Sequence, residues 1–266
     1  MAQQRNRVKF ANTSSSSSST EFVSQTPTTP IHNSNSITKF HPIPHTLITF
    51  SQLVLSTLCL FYIPSKKLLD DPVKCLNLAT FLLIFVQLFS ETSRWLLYLQ
   101  DDGIETTKNV KIMIKNLIKY KGMNFLHSIW ITLFGAFMFH LIAVLFGAPL
   151  LFNVQKTWLF ALYISLLAIF PPSVAFKNHG PYWSRVFSDS KPESIPEKMI
   201  YHTTVYTVIG AWLGGTVIPL DWDRPWQVWP IPCVIGGYLG YVIGSIASLL
   251  VCYFNGEGSS IQKKRE

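Results

Sequence analysis

The sequence predicts an all-α, polytopic integral membrane protein of about six transmembrane helices behind a disordered amino-terminal tail. Three observations predict it. Only 14% of the 266 residues are charged and 48% are hydrophobic, whereas soluble domains carry roughly 25% charged residues. The apolar residues collect in six runs, each near the ~20 residues that a bilayer core requires. The connections between the runs, together with the two tails, hold nearly all the Lys and Arg, as membrane topology demands.

Residues 1–42 are polar and low in complexity, with the serine run Ser14 to Ser19 followed by Thr26-Pro27-Thr28-Thr29-Pro30. Such a segment cannot bury enough apolar surface to offset its ordering entropy, so it is expected to be a disordered cytosolic tail. Residues 1–45 contain no apolar signal-peptide core. The first run is therefore expected to act as targeting signal and permanent anchor together. A six-helix bundle is expected over 43–254, with spans near 46–63, 76–99, 125–148, 156–176, 200–219 and 231–254, and a short basic cytosolic tail over 255–266. The first span ends at Pro64. Pro171-Pro172 ends or kinks the fourth. The fifth is the least hydrophobic, with Thr203, Thr204 and Thr207 near its start. Between the second and third spans, Val110, Met113, Ile114, Leu117 and Ile118 follow helical spacing within 105–121, and four lysines mark the remaining circumference. This stretch reads as a basic amphipathic helix on an anionic leaflet, or as a solvated linker with topogenic charge.

The net charge of +8 suggests nucleic acid only if the basic residues cluster, and they do not. Of the 22 Lys and Arg, 16 lie in the two tails and the 100–124 and 177–199 connections, and 5 lie in the alternate connections. That asymmetry places both termini in the cytosol and the 220–230 loop on the opposite, lumenal side if the membrane is the endoplasmic reticulum. The only Asn-x-Ser/Thr site, Asn12-Thr13-Ser14, then sits where no glycan is added.

That loop is the most unusual part of the chain. Leu220-Asp221-Trp222-Asp223-Arg224-Pro225-Trp226-Gln227-Val228-Trp229-Pro230 packs three tryptophans, two aspartates and an arginine between glycine-rich apolar runs. Tryptophan favours the membrane–water boundary, and the prolines prevent a helix from continuing. The segment reads as a stiff interfacial cap joining two membrane helices, with Asp221, Trp222, Asp223, Arg224, Pro225, Trp226 and Trp229 as its structural or partner-binding residues. Arg224 is expected to pair with an aspartate and to stack on Trp222 or Trp226. A magnesium site or an acid–base pair on the two aspartates is the less favoured alternative. On the flanking helices, Gly210 and Gly214, and then Gly236, Gly240 and Gly244 with Ser248, recur at four-residue spacing. Small residues let backbones approach closely in lipid, so these glycines are expected to pack the hairpin internally or to dock a partner helix.

Other ionisable groups lie within the runs. Glu91 and Arg94 can pair at i, i+3, with Arg94 able to snorkel. His127, His140 and His202 read as hydrogen-bonded bundle residues rather than as a proton relay. The aromatic, turn-rich 176–185 segment reads as an interface anchor. Cys59, Cys75, Cys233 and Cys252 show no CxxC spacing. A disulfide between Cys75 and Cys233 is sterically compatible with this topology. No phosphate-binding loop, G-x-S-x-G, H-E-x-x-H, CDP-alcohol phosphotransferase or lipid-phosphatase pattern is present, and no connection is long enough to hold a soluble catalytic domain. No catalytic residue, metal site or cofactor is therefore assigned.

The stretch Val205 to Gly240, above all Ile209-Gly210-Ala211-Trp212-Leu213-Gly214 and Ile218 through Pro230, resembles the phosphatidylinositol-glycan class F family. Leu145-Phe146-Gly147-Ala148-Pro149-Leu150-Leu151 is more weakly similar to it. The serine-rich tail departs from the family's compact pattern. The resemblance implies a non-catalytic, multi-pass subunit of the endoplasmic reticulum. Such a subunit binds and stabilises the large ethanolamine-phosphate transferases that modify mannoses of the glycosylphosphatidylinositol anchor precursor. Its expected partners are those catalytic subunits and membrane lipids, including the precursor itself, and not nucleic acid. The rivals are a lipid phosphotransferase acting through Asp221, Asp223 and His140, and a lipid transporter or scramblase.

Overall fold

Every regular element among the described residues is helical. The computed structural model describes residues 42–63, 68–101, 110–149, 152–176 and 179–262. The serine-rich stretch, residues 105–109 and the last four residues lie outside them. Helix α1 (Pro42–Thr57) continues into a π-helical turn, Leu58–Tyr62, and α2 spans Pro72–Asp101. Then follow α3 (Val110–Leu145), α4 (Val154–Ala168), α5 (Phe170–Phe176), the single turn α6 (Gly180–Trp183), α7 (Ile195–Thr216) and α8 (Ile231–Gln262). Among the described residues, four helices are long and apolar enough to cross a membrane: Ile43–Tyr62, Pro72–Arg94, Asn124–Leu145 and Ile231–Val251. The bent pair α4–α5 makes a fifth. Helix α7 has 22 residues but falls below that hydropathy, because Glu197, Lys198, His202, four threonines and three glycines dilute its apolar side chains.

Two elements differ from the sequence reading. Residues 110–121 do not form a separate surface helix. They open α3, one continuous helix of 36 residues and about 54 Å, which exceeds a ~30 Å hydrocarbon core. The fourth run breaks at Ile169, two residues before the first proline, and its halves are bent by 41°. Pro171 and Pro172 then occupy the first turn of α5, where a missing N–H does least harm. The break frees carbonyls, and neighbouring helices supply donors. Thr204 of α7 donates to the Ala168 carbonyl at 2.9 Å, which Pro172 cannot reach with an N–H. Gln87 of α2 donates to Leu166 at 3.1 Å. Satisfying broken-helix carbonyls from adjacent helices is what makes such a bend tolerable at membrane depth.

Helix α4 is central. Ten of its 15 residues are buried, and it packs against α2, α3, α7 and α8. Leu60, Leu76, Leu83, Tyr163, Ile164, Leu167 and Val234 form the middle of the core. Polar clasps fasten the outer helices to it. Ser165 donates to Thr132 of α3 at 2.6 Å. The Tyr238 hydroxyl of α8 meets Thr57 at 2.5 Å and Ser56 at 3.3 Å.

The most extensive contact joins α7 to α8, which run antiparallel. Partners one turn apart follow in register: Gly214 against Pro232, Gly210 against Gly236, Tyr206 against Gly240, and His202 against Gly244. A Cβ on Gly210 would collide with the Gly236 carbonyl, one on Gly214 with Pro232, one on Gly236 with Gly210, and one on Gly240 with Tyr206. Every one of these obstacles is backbone, which cannot rotate away. On Gly244, a Cβ would lie 2.8 Å from the His202 carbonyl oxygen. Ser248 ends the series by donating to the Met199 carbonyl at 2.8 Å. The start of α7 is fixed by a capping box, in which the Ser194 hydroxyl accepts from the Glu197 N–H and the Glu197 carboxylate accepts from the Ser194 N–H.

Gly240→Ala should lower the melting temperature of the detergent-solubilised protein, with a destabilisation of about 1–3 kcal/mol from overpacking against backbone. Gly215 is the control. Its added Cβ would meet only the Cys233 sulfur, at an ordinary 3.6 Å, so Gly215→Ala should change stability by no more than about 0.5 kcal/mol.

Candidate functional site

The loop between α7 and α8 is held together by a residue the sequence reading did not single out. Gln227 is buried at 8% exposure. Its side-chain NH2 donates to the carbonyls of Val217 at 2.9 Å and Leu220 at 2.8 Å, and its side-chain oxygen accepts from the Arg224 N–H at 2.9 Å. One amide thus ties both limbs of the loop to a short 3₁₀ turn, Pro225–Gln227. The signal was present in the sequence. Gln three residues after the position that precedes a proline-led turn is the acceptor half of a capping box.

The three tryptophans divide into two roles. Trp229 turns inward. Its indole N–H donates to Thr157 of α4 at 3.1 Å and its ring packs edge-on against Phe160 at 5.2 Å. Trp222 and Trp226 turn outward as a T-shaped pair with centroids 5.9 Å apart, 55% and 36% exposed. Asp221, Asp223, Arg224 and Pro225 are exposed as well.

Arg224 does not do what was expected of it. Among the described residues the ion pairs are Lys74–Asp71, Arg94–Glu91, Arg185–Glu193 and Arg185–Glu197, and the one cation–π contact seats Arg185 over Tyr182. Arg224 is in none of them. The loop is closed by backbone–amide bonds instead, so its charged side chains project outward. Asp223 adopts a left-handed backbone, φ +46°, which a short polar side chain tolerates better than a bulky one. That conformation accounts for the residue type without a metal. Among the described residues, no three His, Cys, Asp or Glu gather in a metal-binding group.

The intramembrane ionisable groups also differ from expectation. Glu91 and Arg94 do pair. Arg94 turns inward rather than snorkelling, and donates to Gln52 at 2.6 Å. Gln52 in turn donates to Gln87 at 2.7 Å. Two of the three histidines depart from expectation: His127 Nε2 and His140 Nδ1 are buried without a hydrogen-bond partner, and His140 packs edge-on against Trp158 at 6.0 Å. His127 and His140 lie 13 residues apart on α3, about 20 Å along the axis, so they form no relay. Cys75 and Cys233 are free, buried thiols. Of the 176–185 segment, Phe176 ends α5, Gly180 to Trp183 form α6, and Ser184 and Arg185 open a π turn, while residues 177 and 178 lie outside the described ones; Phe176 stacks on Tyr182 and meets Trp183 edge-on.

Beside the loop lies an open apolar cavity of about 780 Å³, within the size range of ligand and docking pockets. Phe146, Gly147, Ala148 and Pro149 at the end of α3 form one wall. Ile209 and Trp212 of α7 form the other, and Ile218, Pro219 and Trp229 close the end. Gly147 takes φ +99°, a backbone that favours glycine, and turns the chain along the rim. Two segments at least 60 residues apart thus meet on one surface.

The fold and this surface define an all-helical membrane protein with an open apolar cavity beside a Trp-rich loop. The chain belongs to the GPI biosynthesis protein family Pig-F, whose model matches residues 52–249. It is 41% identical over 141 residues to the Homo sapiens GPI ethanolamine phosphate transferase, stabilizing subunit, covering 53% of this chain and 64% of that one. It is 39% identical over 116 residues to glycosylphosphatidylinositol anchor biosynthesis protein 11 of Yarrowia lipolytica, covering 44% and 50%. Over 200 residues it is 32% identical to a PIGF/3-ketodihydrosphingosine reductase fusion protein of Schizosaccharomyces pombe, covering 75% of this chain and 35% of the relative. The chain spans less than two thirds of the length of each of these relatives. No solved structure matches it.

Gln227→Leu should leave the helices intact and loosen the loop. Hydrogen–deuterium exchange is expected to rise across residues 217–229, because three hydrogen bonds to one buried amide are lost at a local cost of about 1–3 kcal/mol, while exchange in α4 stays unchanged.

Proposed function

We propose that this chain is a non-catalytic membrane subunit that binds and stabilises ethanolamine-phosphate transferases of glycosylphosphatidylinositol-anchor synthesis. Its membrane would be that of the endoplasmic reticulum. The single observation that carries the reading is the meeting of the 145–149 and 209–229 segments, which bear the family resemblance, on one open apolar cavity. The names of the Homo sapiens and Mus musculus relatives support it, since each is called a GPI ethanolamine phosphate transferase, stabilizing subunit.

The occupant of the cavity, on this reading, is a membrane helix of the transferase. Trp212, Ile209 and Leu213 present an exposed apolar face of α7 beside it. Trp222 and Trp226 supply aromatic anchors at the rim, the residue type that dominates binding energy at interfaces. Gly210, Gly214, Gly236, Gly240 and Gly244 serve this surface indirectly by fixing α7 against α8. In this account α7 also crosses the membrane, as the fifth of six spans, because it runs beside α8 over four turns and must share its depth. Both termini then face the cytosol, as the Lys and Arg asymmetry indicates, and the Trp-rich cap faces the lumen. Stabilisation follows from linkage: a subunit that binds only the folded partner shifts that partner away from unfolding and degradation.

Trp212→Ala combined with Trp226→Ala should reduce the steady-state amount of transferase and its recovery with this chain by about tenfold, the effect of losing roughly 1.4 kcal/mol of binding. Turnover per surviving complex should be unchanged. Normal transferase abundance with lost turnover would instead show a part in catalysis.

A further inference from the structure

A file of buried side chains joins a polar chamber to the bend between α4 and α5. The chamber, a second cavity of about 510 Å³, lies at the other end of the α7–α8 hairpin, away from the Trp-rich cap. Gln52, Glu91, Arg94 and Glu197 give it a polar wall, and Pro171 and Val174 of α5 give it an apolar one. From Arg94 the file leads into the core. The guanidinium donates to the Gln52 side-chain oxygen at 2.6 Å. The Gln52 amide donates to the Gln87 side-chain oxygen at 2.7 Å, and the Gln87 amide donates to the Leu166 carbonyl at 3.1 Å. Gln52 is 2% exposed and Gln87 0%, so bulk water is not at hand to replace a lost partner.

The file runs in one direction only. A guanidinium donates and never accepts, a backbone carbonyl accepts and never donates, and a glutamine amide does both. With Arg94 at one end and Leu166 at the other, each amide has a single orientation in which no oxygen faces oxygen. Hydrogen bonds in such a row strengthen one another in a low-dielectric interior. Without Arg94, two arrangements are left. Either the Gln52 oxygen stays buried with no donor, which is costly, or both amides turn, and Gln87 then sets its oxygen against the Leu166 carbonyl.

The receiving end of the file is a joint. The helix breaks at Ile169 with a bend of 41°, and Phe170 is followed by two prolines, which supply no N–H. The preceding turn therefore relies on other helices, on Gln87 at Leu166 and on Thr204 at Ala168. Gly135 of α3 makes room for it, since a Cβ there would lie 2.9 Å from the Ser165 hydroxyl oxygen and 3.0 Å from the Ile169 side chain. A few residues at the end of an element, held by a small number of contacts, are where hinges form. Beyond this joint, α5 walls the same chamber in which Arg94 sits.

We propose that Arg94, Gln52 and Gln87 form a conformational latch. Donation by Arg94 keeps α5 locked at its bend, and drawing Arg94 off Gln52 frees α5 to move relative to α4 and to reshape the polar chamber. Arg94 is a positioning residue, because it acts on the joint only through the two glutamines. Its side chain keeps 21% of its surface exposed, so the latch is reached from the chamber and not from the core. The inference needs only the folded chain and stands apart from the docking reading, so either can fail without the other.

The test is hydrogen–deuterium exchange of the purified full chain in lipid nanodiscs, read over α5 with α8 as the reference. Arg94→Gln no longer imposes a direction on the row. It should speed exchange of the α5 amides about tenfold, equivalent to ~1.4 kcal/mol, with α8 unchanged. Gln87→Leu should do the same. Arg94→Gln added to Gln87→Leu should bring no further change, because substitutions acting through one network are not additive. Arg94→Lys, again a donor only, should keep wild-type protection. Ser90→Ala removes a neighbouring buried hydroxyl that has no partner and should leave α5 as it was. Gln52→Leu interrupts the row while the Glu91–Arg94 pair stays in place, and it decides the matter if Arg94→Gln fails to fold. Wild-type protection of α5 in folded Arg94→Gln or Gln52→Leu would overturn the proposal. So would equal acceleration in α8, additive effects of Arg94→Gln and Gln87→Leu, or lost protection in Arg94→Lys or Ser90→Ala.

Discussion

The contact between backbone and backbone along α7 and α8 is the constraint on which the other features depend. Carbonyl oxygens of Tyr206, Gly210, Pro232 and Gly236 occupy the space where side chains would stand on the facing helix. In lipid there is no hydrophobic effect to press helices together, so such close approach supplies dispersion contact instead. The consequence is a hairpin of fixed register. One end presents the Trp-rich loop, shut by Gln227. The other end presents Glu197, Thr203 and Ser248 to the polar chamber. Both cavities therefore share α7 as a wall, and a shift of α7 by one turn would deform both.

The rest of the bundle shows how a dilute, polar helix such as α7 is tolerated beside apolar ones. The break at Ile169 exposes carbonyls that a continuous helix would have used. Thr204 reaches one of them from α7 and Gln87 reaches another from α2. Thr204, one of the threonines that lower the hydropathy of α7, is thus a structural complement of a proline-led bend in a different helix. The same economy appears at Tyr238, whose hydroxyl joins α8 to the end of α1. Each clasp leaves a buried polar group satisfied, without which it would be destabilising in a low-dielectric setting.

Much of this was legible in the sequence because it follows from local pattern. The apolar runs marked the long helices, Pro171-Pro172 marked the bend, Glu91 and Arg94 marked an intrahelical pair, and the four-residue glycine spacing marked a close helix face. The misreadings share a different cause. Whether Val110 to Lys121 lies on a membrane surface or continues into Asn124–Leu145 is decided by the chain after it, since amphipathic spacing is helical in both cases. Arg224 looked like a partner for its neighbouring aspartates, yet the loop's direction was set by Gln227 reaching carbonyls seven and ten residues back. Gln52 and Gln87 carried no signal at all, because their partners are 35 and 79 residues distant. The convergence of Gly147 and Trp212 on one cavity was likewise out of reach of spacing arguments.

Disulfide trapping tests the hairpin register most directly. The hydroxyls of Thr203 and Ser248 lie 3.2 Å apart across the two helices, close to what a disulfide can bridge after small adjustment. In a chain whose native cysteines are replaced, Thr203→Cys with Ser248→Cys should cross-link rapidly and within one molecule under mild oxidation, and Thr207→Cys with Ser248→Cys, one turn out of register, should not. Cross-linking of the second pair in preference to the first, or of either pair only between molecules, would contradict the antiparallel glycine-packed hairpin.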